Sequence, residues 1–527
     1  MPKPLHELKT MTIPLEVHRY SNYQGLQEQA CKEWGLRRIQ PYFPPLQKLF
    51  KLENLRNPYQ YGLKTRNMIQ TISGPSKIYT GGREREVHLK KSMLLPSYSV
   101  MRGDFGGVGL PQTDNSPIEY IQNSNNSAYI GSLINSVLSE SGCPHFPEVY
   151  GSFSGIEEKH VLNISDDYED LCERPWFSQN IGHFFELKLK IHDIVQPIQL
   201  EDTSEKIDLG ITDIEGIQPN TEETHTEEEE DEEEEIDEGD STDYVFGIHS
   251  CSSDGELHDD GIGFEDEEEE PFAHAVFKDC PIQVTIMEKC QGTLYDLFKS
   301  HSEIEKRISW LAQVVFALAY AQRRFGFVHN DLHVMNVMYI DTDKEFFYYN
   351  ILGKAYRVPT FGKLIKIIDF DRACFSIKLP KMKESKFFMS SQFEENEEAG
   401  GQYNVEPYYN SKYPEVKPNP SFDLVRLATS MFWDLFPKGP LHEEYKKDSI
   451  FEIFMSWLTL PDGSSVLFRN LSEGDTHERY RGFHLYKAIA KYCKDTAVPR
   501  KQIEKFGSLY LFSEKVPTNE SCIYIDG

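Results

Sequence analysis

The chain reads as an α+β protein of two lobes, a β-rich N-terminal lobe and a mostly helical C-terminal lobe, with a disordered acidic insertion in the first. Three observations predict this. Strand-like runs, Val87–Lys90 and Ile282–Met287 among them, fall before residue 290. After it, apolar residues recur at helical spacing, at Ile308, Leu311, Val315 and Leu318 and again along Phe422–Phe436. The whole formal charge imbalance sits between Glu201 and Glu270. These signals place an N-terminal extension at 1–70, a first lobe at 71–290 that carries the insertion at 201–270, a second lobe at 291–512 and a tail at 513–527.

In chain order, Leu26–Leu36 is a candidate helix and Pro41–Leu52 a connector. Gly74 in SGPSKIY and the pair Gly81 and Gly82 in TGGRE mark turns between short strands. Ser127–Leu138 (SAYIGSLINSVL) reads as a helix with no acid inside it, flanked by Glu119 and Glu140. A strand region follows at His145–Phe153. Beyond the insertion, Ile282–Met287 alternates as a strand, Glu288–Cys290 leaves it, and Thr293 starts a helix. Ile304–Arg324 is an amphipathic helix with one buried stripe. The segment EFFYYNILGKAYRVP reads as an inserted hairpin around Gly353, beside the candidate site and extending the core. Asn419, Pro420 and Ser421 open the helix Phe422–Phe436. In its first turn Asp423 either holds a neighbouring loop or partners the helix dipole.

The formal net charge of −30 is local. Between Glu201 and Glu270 one lysine, Lys206, stands against 31 acidic residues, and the remaining 54 basic and 54 acidic residues cancel. The runs Glu227–Glu235 and Glu265–Glu270 bury too little apolar surface to offset the entropy of ordering. The segment is a solvated spacer or a salt-sensitive docking arm for a basic partner. Nine cysteines show no paired spacing, so neither a disulfide framework nor a zinc signature is expected. No apolar run reaches membrane length and no signal-peptide pattern opens the chain, which points to a soluble protein of a reducing compartment. No direct nucleic-acid binding is expected.

The candidate chemistry lies in two loops. His329–Asn336 reads HNDLHVMN, and 33 residues past Asn336 an apolar run (Leu364, Ile365, Ile367, Ile368) ends on Asp369, Phe370 and Asp371. An apolar strand ending in an acid is common in any α/β protein. Behind a long helix and in this order, the two loops match what phosphoryl transfer from ATP requires. Asp331 is the candidate catalytic carboxylate that accepts the acceptor hydroxyl's hydrogen bond and steers its proton. Asn336 and Asp369 are candidate oxygen ligands for Mg²⁺ or Mn²⁺. Upstream, Lys90 in VHLK is the candidate phosphate-binding lysine. Lys91 is one register step away, and alternation turns only one of the two inward. The backbone near Gly74 is a candidate phosphate contact, although no GxGxxG stands there. Met287 borders the lobes, and Glu288 and Cys290 belong to a hinge whose backbone could meet an adenine edge.

The segments VHLKKSMLL, NNSAYIGS, YGSF, MEKCQGTL, FVHNDLHVMNVMY, FGKLIKIIDFDRA and NPSFDLVRLATSMFW together resemble the serine/threonine protein kinases of large cytoplasmic DNA viruses, notably iridoviruses. HNDLH is more distantly similar to haspin-type kinases. The resemblance spans Gly74 to Phe512 without the insertion. It implies a bilobal protein-kinase-like fold, ATP and Mg²⁺, transfer to protein hydroxyls, and a virion or infected-cell cytoplasmic setting. It also implies that Asp423 holds the catalytic loop through its backbone. Four departures stand out. Asn330 replaces an arginine that reads activation-loop phosphate, so activation by loop phosphorylation is not expected. His333 replaces a lysine near the γ-phosphate, Asp371 replaces a hinge glycine, and no APE motif follows.

Three functions compete. The first is a serine/threonine protein kinase acting on a protein substrate, with basic proteins as candidates. The second is a kinase of small hydroxylated molecules. The third is a kinase-like scaffold whose acidic arm recruits basic partners, favoured by the missing glycine loop and by the lack of a clear helical glutamate, of the kind kinases pair with the phosphate-binding lysine, for Lys90. The presence together of Asp331, Asn336 and Asp369, which a scaffold does not need, favours catalysis.

Overall fold

Long strands whose buried and exposed residues alternate only at their ends, Val149–Asn163 and Phe272–Glu288, form the centre of the largest sheet. In the computed structural model, which describes residues 12–105, 120–165, 167–191, 194–197 and 272–526, the sheet runs in the order Leu36–Gln40, Val149–Asn163, Phe272–Glu288, Arg83–Met93, Lys77–Thr80, Thr71–Gly74. Two further strands, Glu186–Ile191 and Ile194–Pro197, attach to Phe272–Glu288. Every pairing in this sheet is antiparallel. The second half of the described chain holds the long helices, Ile304–Phe325 and Phe422–Leu435 among them, with small sheets between, and the protein is α+β. The acidic insertion expected at 201–270 lies outside the described residues, as does Glu119.

Apolar burial falls into two clusters. One lies against the large sheet and includes Val87, Phe153, Phe277, Ile282, Val284 and Ile286. The other surrounds the helix Ile304–Phe325, which is buried on every side from Ile308 to Gln322. Its sequence stripe therefore understates its burial, because neighbours cover the remaining faces. The helix ends at Gly326, whose φ of 54° suits glycine and whose amide caps Gln322. Among the described residues, no helix is long and apolar enough to cross a membrane.

Three expectations change on folding. The stretch Pro41–Leu52 is not a plain connector: Pro44 and Pro45 open a helix, Pro44–Phe50, because proline's fixed φ suits a first helical turn. Residues before 71 do not stand apart, since Leu36–Gln40 is an edge strand of the sheet. The tail also packs, with Cys522–Tyr524 pairing in parallel with Phe346–Ile351.

That last strand belongs to the inserted hairpin. Phe346–Ile351 and Lys354–Pro359 pair around Leu352 and Gly353, both at positive φ, as a two-residue hairpin turn requires. Tyr349 stacks on Phe316 of the long helix at 4.1 Å, and its hydroxyl lies 2.7 Å from His145 Nε2. The hairpin extends the core; it does not line the cleft described below.

Candidate functional site

A short antiparallel pair, Val337–Asp341 with Lys363–Ile367, brings the two loops together. Val337 faces Ile367, so Asn336, the residue before the pair, and Asp369, two residues after it, emerge at the same end. The amide of Ile368 donates to the carbonyl of Asn336 at 3.0 Å. Asp369 itself adopts φ 62°, a left-handed conformation uncommon outside glycine and one found at functional sites.

The loop His329–Asn336 is held from beneath by the helix Phe422–Leu435. Asp423, fully buried, accepts from the amides of His329 and Asn330, both at 3.0 Å. This is the loop-holding contact that the resemblance implies for it. Burial pushes its carboxyl up to about 7, with the two amide donors pulling the other way. Ser430, two turns further on, accepts from the amide of Val334. His329 is buried too: its Nε2 meets the carbonyl of Ile368 at 2.7 Å, which leaves Nδ1 to accept from the amide of Asp331.

Asp331 is 4% exposed. Tyr486, from the helix Phe483–Tyr492, donates to its Oδ1 at 2.7 Å, and an Arg372 nitrogen lies 3.7 Å from Oδ2. Arg426 sits over the Tyr486 ring at 4.9 Å. Burial alone would raise the Asp331 carboxyl, but Arg372, His333, Arg426 and the Tyr486 hydroxyl outweigh it and hold the carboxyl at about 2. Arg372 in turn donates to Gln392 and Glu398. Asn330 ties the same pieces together. Its side chain donates to the carbonyl of Arg372 and accepts from Tyr403, so the residue standing in place of the arginine is an internal link.

Asn336 is oriented by its own loop. Its Nδ2 is 2.9 Å from the Asp331 carbonyl and 3.0 Å from His333 Nε2. With the amide nitrogen directed to these two acceptors, the amide oxygen is the atom available for a cation. Burial pushes His333 down to about 4, so the ring is neutral near pH 7 and can accept that hydrogen bond.

The strand Arg83–Met93 carries two adjacent lysines to different partners. Lys90 Nζ lies 2.5 Å from Asp369 and 2.9 Å from Asp371, whereas Lys91 lies 2.6 Å from Glu157. Burial pulls the Lys90 ammonium down, but the two carboxylates hold it above the ordinary lysine range. Asp369 is lowered by Lys90 against the effect of burial, and Asp371 is raised chiefly by burial. Lys90, Asp331, Asp369, Asp371 and Arg372 all line one cleft.

Other candidate residues fall elsewhere. Gly74 does not reach the cleft: its carbonyl accepts from the Trp34 indole at 3.3 Å, which folds the turn onto the helix Tyr23–Trp34. A buried indole N–H needs an acceptor, and the Gly74 carbonyl supplies it in place of a phosphate contact. Met287, Glu288 and Cys290 do not line the cleft either. They stand at the end of the strand paired with Lys90's own: Lys90 faces Thr285, and Glu288 is three residues on, about 10 Å at the rise of an antiparallel strand. Glu288 pairs there with the buried Lys366 at 2.8 Å. Glu140 accepts from the amide of Arg66 and makes no pair with Lys90.

Tyr486, Arg372 and Glu398 were not singled out by their sequence. Arg372 adjoins the second loop and could have been suspected. Tyr486 sits 155 residues from Asp331 in an ordinary amphipathic helix, and nothing local marks it.

No family model matches the chain. An uncharacterized protein of Caenorhabditis elegans, ZK177.2, is 36% identical over 72 residues, 14% of this chain and 24% of its own length. The chain thus spans about a quarter of the curated relative it matches.

Proposed function

We propose that the protein is an ATP- and Mg²⁺-dependent protein kinase that transfers the γ-phosphate to serine or threonine hydroxyls, built on a bilobal kinase-like fold. The observation that carries this reading is the convergence of Lys90 from the sheet with Asp331 and Asp369 from the two loops on one cleft. The two apolar clusters, one under the sheet and one around the long helix, agree with a two-lobed organisation. The separation along the sheet between Glu288 and Lys90 leaves room for a base and sugar on the way to the phosphates.

Each side chain has a task in this reading. Asp331 stays ionised across the physiological range and accepts a hydrogen bond from the incoming hydroxyl. Lys90 holds phosphate oxygens by charge. Asn336 and Asp369 offer one amide and one carboxylate oxygen, the hard donors that Mg²⁺ selects. When bound, the cation neutralises the charge of the phosphates. The reading keeps the virion or infected-cell setting as its biological context and basic proteins as its first substrates to try.

The test is transfer of label from γ-labelled ATP with Mg²⁺ or Mn²⁺ to the protein itself and to basic test proteins, alongside Asp331→Asn. Wild-type transfer and a loss of about 10³-fold or more in a folded Asp331→Asn are expected. Equal transfer by both proteins, or none by folded wild type, overturns the reading.

A further inference from the structure

The helix Ser127–Glu140 packs beside the strand of Lys90 without offering it an acid. Ser132 meets Thr285 at 2.6 Å, directly across the sheet from Lys90, so the helix is close enough to supply a partner. Its one acid, Glu140, is at the far end on the Arg66 amide. Where the helix meets the second loop it has a glycine. A Cβ built on Gly131 would lie 1.9 Å from Asp371 Oδ1, well inside contact distance, so that carboxylate occupies the space a helix side chain would take. From there Asp371 Oδ1 is 2.9 Å from Lys90 Nζ. Its Oδ2 accepts from Ser92 at 2.8 Å, two residues along the strand and therefore on the same face as Lys90.

We infer that Asp371 is the positioning counter-ion of Lys90, delivered by the loop that carries Asp369 into a space kept open by Gly131. This rests on the phosphotransfer reading and assigns a partner within the same site. Lys90 touches two carboxylates from one loop, and they differ in surroundings. Both pair with Lys90, but Asp371 is also anchored by Ser92 and enclosed by the helix at Gly131, whereas Asp369 sits on a left-handed backbone at the end of the strand pair that carries Asn336. Asp371 can therefore keep the ammonium in register while Asp369 is engaged elsewhere. The two unusual features of the sequence, a helix with no acid beside Lys90 and an acid in place of the loop glycine, become one compensated exchange.

The exchange can be reversed. Full-length Asp371→Asn, Asp371→Gly, Gly131→Glu and the double variant Gly131→Glu/Asp371→Gly are compared for ATP affinity by calorimetry, for the KM and kcat of transfer to protamine, and for melting temperature. Asp371→Asn, which keeps the shape, is expected to fold and to raise the KM for ATP about tenfold. Gly131→Glu alone is expected to melt lower and lose ATP binding through its clash, and the double variant to regain stability and most of the affinity. Unchanged ATP affinity and KM in Asp371→Asn and Asp371→Gly overturn the inference while wild-type transfer leaves the kinase reading intact. A double variant no better than Gly131→Glu also overturns it. Folded wild type that neither binds ATP nor transfers label removes the kinase reading and this role together.

Discussion

The loop His329–Asn336 and the turn at Gly74 are both read from sequence as phosphate-handling, and folding treats them differently. The loop is tied to distant elements: Asp423 and Ser430 hold its backbone, and Tyr486 and Arg372 hold its carboxylate. The turn accepts from one side chain, the Trp34 indole, and stays out of the cleft. A chemical group held by several buried partners from separate elements is preorganised, and a hairpin tip held through the backbone carbonyls of Gly74 and Ser76 positions no such group.

The comparison can be broken most severely at Asp423. Asp423→Ala leaves two buried amides without an acceptor, and about 3 kcal/mol of stability is expected to go, together with label transfer. Urea unfolding checks the first and γ-labelled ATP the second; a variant as stable as wild type would show that the loop does not depend on this anchor.

Tyr486→Phe probes the carboxylate itself. It removes the 2.7 Å hydrogen bond without removing the ring, and transfer is expected to fall about tenfold. The sign of the pH effect follows from Asp331's depressed folded value of about 2. Its ionised form contributes stability above the ordinary carboxylate range, and this is lost as pH falls toward 2. Without the tyrosine hydroxyl the folded value rises, so the variant should lose less stability than wild type between pH 5 and pH 3. Equal losses would mean that Tyr486 does not bear on Asp331.

The smallest effect is expected at the turn. Gly74 has no positive φ, and an added Cβ would meet Lys77 Cβ at an ordinary 3.7 Å. Gly74→Ala should leave the KM for ATP within about twofold of wild type, because nothing at the turn is displaced. A large rise in KM would return the turn to the phosphate site and erase the contrast.

Much of the local architecture was legible without coordinates. The long helix followed from apolar spacing, although its ends settled at Ile304 and Phe325. The hairpin around Gly353 followed from two aromatic runs and a turn, and the helix of Asp423 from its start signals. The two loops followed from residue type and separation. The Gly74 assignment missed because the acceptor demand of Trp34, 40 residues away, leaves no trace in the turn's own sequence.

What the sequence determined alone was the set of chemical groups, the elements they ride on and the alternation that sends Lys90 and Lys91 to opposite partners, since each depends on spacing within a few residues. Only the tertiary structure decided which groups meet. Lys90 and Asp369 are 279 positions apart, and their contact depends on a sheet, a helix and a strand pair docking in register. The same packing put Asp371 against Gly131, where an acid and a glycine from segments 240 positions apart share one space.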